Sequence, residues 1–132
     1  MSWFGIKRSS RFAYEDALWA AAIRRRDQFT CRMCGRKDRQ LNAAHYIGRV
    51  RKSVRWDLDN GVLLCSRPCH AQFDLAKRRD RGGPSDSWMR DQLGKERYQR
   101  LIVRAQLTIH PNREAIRQSL RGAAPWDKVN LS

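Results

Sequence analysis

Apolar residues follow two different rhythms along the chain. From Phe12 to Arg26 they recur at roughly helical spacing: Phe12, Leu18, Trp19, Ala22 and Ile23 form an approximate stripe. Ser9 and Ser10 stand ahead of it as capping residues, and Arg24, Arg25 and Arg26 load its C-terminal end. The arginine triplet suits either a solvated face that complements the helix dipole or a phosphate contact. From Phe29 to Asp74 the rhythm changes to short apolar pieces separated by turns. Leu41 to Ile47 and Gly61 to Cys65 read as two strands, joined by a polar, basic loop from Gly48 to Asn60. A helix is predicted to start near Pro68 to His70 and to run to about Arg79.

Beyond that, Arg81-Gly82-Gly83-Pro84-Ser85 breaks the pattern. A further helix is predicted from about Asp86 to Leu107, weakened at Gly94. A last one is predicted from about Pro111 to Arg121, with proline at its start and Gly122 after its end. No internal repeat or low-complexity tract is visible. The expected class is α+β, in three parts: an N-terminal helix packing on the core (1–28), a central unit of two strands and a helix (29–81), and a C-terminal helical extension (85–132).

Charge narrows the function. Lysine and arginine number 28 against 13 acidic residues, a formal net charge of +15. Such an excess repels itself unless a polyanion covers it, so nucleic acid is the expected partner. The basic residues are spread over the whole chain rather than along one amphipathic stripe, which argues against a membrane-surface helix. No apolar run approaches the ~18 residues of a transmembrane span. Met1 to Arg11 has no apolar segment of the secretory kind, so a cytoplasmic location is expected.

The four cysteines form two close pairs, Cys31-x-x-Cys34 and Cys65-x-x-x-Cys69. Paired knuckles of this kind bring four thiolates into a tetrahedral zinc site. A disulfide framework is the rival in an oxidising compartment, which the expected location disfavours. Buried free thiols would not need two close pairs with none left over. The first knuckle carries Gly35 where the turn needs a free backbone. Short strands bury little area, so metal binding would supply much of the local folding energy.

Four further residues sit between and beside the knuckles. His45 lies on the first strand, and a neutral imidazole is suited to take a proton from water. His70 and Asp74 are four apart on the predicted helix, share one face, and can converge on a divalent cation. Asn60 ends the basic loop, where its amide could bridge backbone groups. Arg49, Arg51, Lys52 and Arg55 in the loop, and Lys77, Arg78 and Arg79 on the helix, are candidate phosphate contacts. Singly, each has an ordinary structural explanation; Asn60-Gly61 alone is most simply a turn. Their concentration in one short segment points to chemistry.

The segments Ala44-His45-Tyr46, Arg55-Trp56-Asp57-Leu58-Asp59-Asn60, Leu64-Cys65 and Cys69-His70 resemble the HNH endonuclease family, whose core is the ββα-metal fold. Within that family they are most similar to phage NinG-type recombination nucleases and related phage HNH proteins. The resemblance covers roughly Cys31 to Asp74. It implies a zinc-stapled ββα-metal core with flanking helices, and a metal-dependent DNA endonuclease in a phage-infected bacterial cell. By position, His45 would be the general base, Asn60 the residue that orients the hairpin, and His70 a ligand of a catalytic Mg²⁺ or Mn²⁺. Asp74 falls where some members place a further ligand. The implied substrate is duplex or branched DNA, and cutting of four-way junctions would imply a homodimer or phage DNA-processing partners.

Two positions depart from the family pattern. Many members have aspartate or histidine before the first histidine, where this chain has Ala44. The gap before Cys69 is one residue longer than the commonest spacing. With Ala44, the metal face is expected to hold only His70 and Asp74. Asn42 shares that face but sits about 7 Å along the strand, at roughly 3.3 Å per residue, so it would reach the ion only from a bulged strand. The competing expectations are a zinc-ribbon DNA-binding module without chemistry and an accessory protein of a phage packaging or recombination complex.

Overall fold

The computed structural model describes residues 11–79, 84–109 and 112–121. The first helix, α1 (Ala13–Arg26), carries Glu15 and Asp16 in its first turn and three arginines in its last, the order that complements the helix dipole. No side chain caps its start, at Phe12; Ser9 and Ser10 lie outside the described residues. Two antiparallel strands follow, β1 (Leu41–His45) and β2 (Gly61–Cys65), with His45 opposite Gly61 and Leu41 opposite Cys65. β1 is two residues shorter than expected; β2 has the bounds the sequence suggested.

The helix after β2 begins later than expected. Ser66–His70 forms a kinked turn in which Arg67 is extended (φ −141°, ψ 137°), and the regular helix α2 starts beyond it (Ala71–Arg79). The single helix expected over Asp86 to Leu107 is two helices, α3 (Pro84–Leu93) and α4 (Lys95–Ala105). Gly94 separates them at φ 85°, a left-handed conformation that glycine adopts without a Cβ clash and that ends a right-handed helix. The last described helix is α5 (Arg113–Arg121). The predicted proline at its start and glycine after its end fall outside the described residues. No described helix is long and apolar enough to cross a membrane.

Alternation along the hairpin sends neighbouring side chains to opposite faces, and each face has its own core. On one face Leu63 meets Trp19 and Ile23 of α1, Trp56, and Ile116 and Leu120 of α5. On the other, Ala44, Val62 and Leu64 meet Phe73 of α2, Met89 of α3 and Leu101 of α4. β2 is buried at every position. Each fully buried Leu or Ile stabilises the fold by about 1.5–3 kcal/mol, so two-sided burial compensates for strands of only five residues. The hairpin is therefore sandwiched between α1 and α2, and this sandwich places the functional side chains.

Polar staples fix the layers. Buried Asp27 accepts from Arg26 Nε at 2.7 Å and from the Leu63 backbone N–H at 2.9 Å, tying the end of α1 to β2. Arg26 also donates to the carbonyls of Leu58 and Gly61, both at 2.7 Å. Of the arginine triplet, the last member is thus a buried structural group.

Candidate functional site

The knuckles bring the four cysteines together. Gly35 takes φ 79°, letting the Gly35 N–H reach the Cys31 carbonyl at 2.9 Å. The Arg32 N–H donates to the Leu63 carbonyl, also at 2.9 Å, which hangs the first knuckle on β2. All four Sγ atoms lie within 4.8 Å of one another, and Cys34 Sγ is 3.8 Å from Cys65 Sγ. Tetrahedral zinc with bonds of about 2.3 Å separates its sulfurs by about 3.8 Å, so the four thiols could hold such an ion. Cys31, Cys65 and Cys69 are buried; Cys34 is exposed. Burial pushes the Cys31 thiol up, but backbone N–H groups of Cys34, Cys65 and Met33 outweigh it and hold the thiol at about 6. Burial, then hydrogen bonds from the other three cysteines, drive Cys69 upward. A crowded set that stabilises one thiolate and disfavours a second suits a dication that neutralises them together.

His45 ends β1 and points to the α1 face. Its Nε2 lies 2.8 Å from the Arg55 carbonyl oxygen. A carbonyl only accepts, so Nε2 carries the hydrogen, and in the neutral ring Nδ1 keeps its lone pair. The Trp19 indole stacks on the imidazole, with ring centroids 3.9 Å apart and planes within 6°. Burial pushes the His45 imidazole from about 6.5 down to about 4, against the Arg55 carbonyl and Asp16, which favour the charged form. The ring is therefore neutral at ordinary pH.

Asn60 holds the loop that supplies that carbonyl. It is fully buried. Its Nδ2 donates to the carbonyls of Ile47 (2.9 Å) and Val54 (3.0 Å), and its Oδ1 accepts from the Ile47 N–H at 2.7 Å. One amide closes both ends of the excursion between the strands, the bridging expected of it.

His70 and Asp74 approach from the other face. His70 Nε2 lies 3.3 Å from Asp74 Oδ2. Two donors at right angles on a cation with ~2.1 Å bonds are about 3.0 Å apart, so the pair could share one small divalent ion. Among the described residues no third His, Cys, Asp or Glu joins them, in keeping with Ala44. The Asn42 amide reaches His70 Nδ1 at 3.0 Å from the unbulged strand, so it orients the imidazole rather than approaching the ion position itself. An amide turned end for end presents its oxygen to a protonated Nδ1, the tautomer that frees Nε2 for a cation. Lys77 donates to the His45 carbonyl at 2.6 Å and lies 3.3 Å from Asp74 Oδ1, spanning α2 and β1.

These groups line one open cleft of about 500 Å³ along β1. Asp16, Trp19 and Ala20 of α1 form one wall, and His70 of the preceding turn with Asp74 and Lys77 of α2 the other. Ala43, Ala44 and His45 form the floor, and Arg49 lies beyond His45. His45 and the His70–Asp74 pair thus address one space from opposite faces of the hairpin.

The expected phosphate contacts divide. Arg49 and Lys77 line the cleft, and Arg78 and Arg79 are exposed at the end of α2. Arg55 departs from expectation. It is 7% exposed and forms a bidentate pair with Asp16, at 3.0 and 2.6 Å. Its guanidinium is thus a structural group, satisfied inside the fold. Arg51 donates to the Ala105 carbonyl at 3.3 Å. Lys52 lies 5.3 Å from the Phe12 ring centroid and lines a different cavity, of about 540 Å³. In that second cavity Arg97 and Arg104 are paired with Asp57 and Asp59.

Asp16 and Trp19 line the cleft but carried no functional signal in the sequence. Trp19 belongs to the apolar stripe of the first helix and Asp16 has no distinguishing context; only the docking of α1 makes them neighbours of His45. The sequence placed Asn42 on the face of Ala44, and the structure sets its amide against His70 Nδ1. No family model, curated protein or solved structure matches this chain.

Proposed function

We propose that this protein is a metal-dependent DNA endonuclease of the HNH type, with a zinc-stapled ββα-metal core. The observation that carries the reading is the cleft along β1. There a neutral histidine, held through Nε2 and with no partner on its other ring nitrogen among the described residues, lines the same space as a histidine–carboxylate pair. In this reading His45 Nδ1 takes a proton from the water that attacks the scissile phosphorus. The Arg55 carbonyl holds the ring in the required tautomer, and Asn60 holds the loop that carries this carbonyl. His70 and Asp74 would hold Mg²⁺ or Mn²⁺, which supplies charge stabilisation at the phosphate and at the leaving 3′-oxygen. Arg49 and Lys77 steer the backbone into the cleft. The charge of +15 supplies long-range attraction for DNA without reading sequence.

The test is nicking of supercoiled plasmid with and without Mg²⁺, for wild type and His45→Ala. Magnesium-dependent nicking that His45→Ala lacks is expected. Tight DNA binding with no nicking with or without Mg²⁺ would replace this reading with a zinc-stabilised DNA-binding or phage packaging and recombination accessory role. A matched set of linear duplex, flap and four-way junction then assigns the substrate.

A further inference from the structure

Trp19 occupies an unusual position for a core tryptophan. It is 2% exposed, yet one face of its indole covers a cleft side chain, with 3.9 Å between the Trp19 and His45 ring centroids. Its Nε1 donates to the Asp57 carbonyl at 2.9 Å, which fixes the indole in its own plane. The hairpin leaves room for it at one residue. Gly61 is the register partner of His45, and a Cβ there would lie 2.3 Å from the Trp19 ring and 2.7 Å from Ile23. Contacts that close are forbidden to real side chains, so Gly61 and Trp19 form a matched pair under His45. Gly61 is at φ −129°, which any residue adopts, so the glycine is explained by space and not by backbone conformation.

We propose that Trp19, seated in the space that Gly61 leaves, is a positioning residue for His45: it fixes the imidazole plane so that Nε2 stays on the Arg55 carbonyl and Nδ1 keeps its lone pair. A hydrogen bond to one carbonyl still allows the ring to rock about that bond. A flat surface against the whole ring removes this freedom, and one face of a buried indole excludes the water that would offer the ring other partners. The titratable and charged groups around His45 come from several elements packed about the cleft. Asp16 comes from α1, Arg49 and Arg55 from the loop, Lys77 from α2 onto the His45 carbonyl, and His70 and Asp74 from across the cleft. The role of the ring as a base rests on the proposed function; its restraint by Trp19 does not.

The experiment reads the imidazole directly, in full-length protein labelled with ¹⁵N-histidine and without DNA. In wild type His45 is expected as a single Nε2–H tautomer that titrates well below 6.5. Trp19→Phe keeps a flat ring and should keep both properties. Trp19→Leu should populate the second tautomer and move the titration midpoint up, as water gains access to the ring. Trp19→Met, closer in length to the indole but without a flat surface, is read in the same way where the leucine variant does not fold. In plasmid nicking the non-aromatic variants should lose roughly ten- to a hundred-fold in rate at unchanged DNA affinity, with Trp19→Phe restoring most of it. A folded Trp19→Leu or Trp19→Met protein with the wild-type tautomer and midpoint overturns the proposal. If wild type does not nick DNA at all, the nuclease reading fails, and the ¹⁵N spectra still decide the role of Trp19.

Discussion

The cysteine cluster and the cleft are two donor sets on one hairpin, and they differ in completeness. The first has four like donors, three of them buried, all within 4.8 Å of one another. The second has one imidazole and one carboxylate, a quarter and two-fifths exposed (25% and 39%). A closed sulfur set leaves no coordination position for a reactant and suits a structural ion. An open pair of nitrogen and oxygen donors leaves most of a divalent ion's shell to water and phosphate. β2 and its following turn carry members of both sets, Cys65 and Cys69 for one and His70 for the other. In the proposed reading the closed site would brace the segment that carries His70.

The sharpest break of this comparison is at the closed set. Cys65→Ser should cost more stability than any other change here, because structural zinc sites in small domains supply about 10 kcal/mol of apparent binding energy at neutral pH. The expected product holds no zinc by elemental analysis and melts far below wild type or is unfolded. A folded, zinc-free wild type would remove the distinction between the two sets.

Across the cleft from the open set, His45→Ala should lower the cleavage rate by roughly 10²- to 10⁴-fold while leaving DNA affinity nearly unchanged. The acid limb of the wild-type pH–rate profile should lie well below 6.5, because burial holds the imidazole at about 4 and it remains a base above that. The same shift has a consequence for stability. The folded-state value lies below the unfolded one, so the folded protein binds fewer protons between them. This group's contribution to stability is therefore complete above pH ~6.5 and declines as pH falls toward 4. An acid limb at the ordinary histidine value, together with pH-independent stability over this range, would remove His45 as a buried base.

Arg55→Ala should destabilise the fold by about 3 kcal/mol, because it leaves a partly buried Asp16 without its bidentate partner. It should leave the salt dependence of DNA binding unchanged, measured on protein that remains folded. A drop in the salt slope without loss of stability would return Arg55 to the DNA-contacting surface.

A metal titration of cleavage distinguishes an incomplete ligand set from a complete one. Ala44→Asp should lower the Mg²⁺ or Mn²⁺ concentration for half-maximal cleavage several-fold, on the order of the ~1 kcal/mol that one added charge-assisted contact contributes. Asp74→Ala should raise it or abolish activity. An unchanged requirement in both variants would show that no catalytic ion sits between β1 and α2.

The smallest effect is expected at Arg49, the loop arginine that does line the cleft. Arg49→Ala should reduce the log–log salt slope of DNA binding by about one unit, as for one lost phosphate contact, with no change in melting temperature.

The chain by itself determined the parts of this molecule that depend on near neighbours. Cysteine spacing sets the two knuckles. A four-residue step across the start of α2 puts His70 beside Asp74, and strand alternation separates His45 from Ala44. These follow from backbone geometry over a few residues, and they appear where the sequence placed them. Tertiary structure decided what rests on the docking of α1 against the hairpin. That docking buries Arg55 against an aspartate 39 positions away and hides Arg26 while Arg25 stays exposed. It also lays Trp19 on His45 and turns an Asn60-Gly61 turn into a loop clamp beside a glycine that admits an indole. A basic residue on a loop has the same sequence signature whether it meets solvent, phosphate or a buried carboxylate. Which of these it meets depends on packing between distant segments, and burial energy, not local preference, selects that packing.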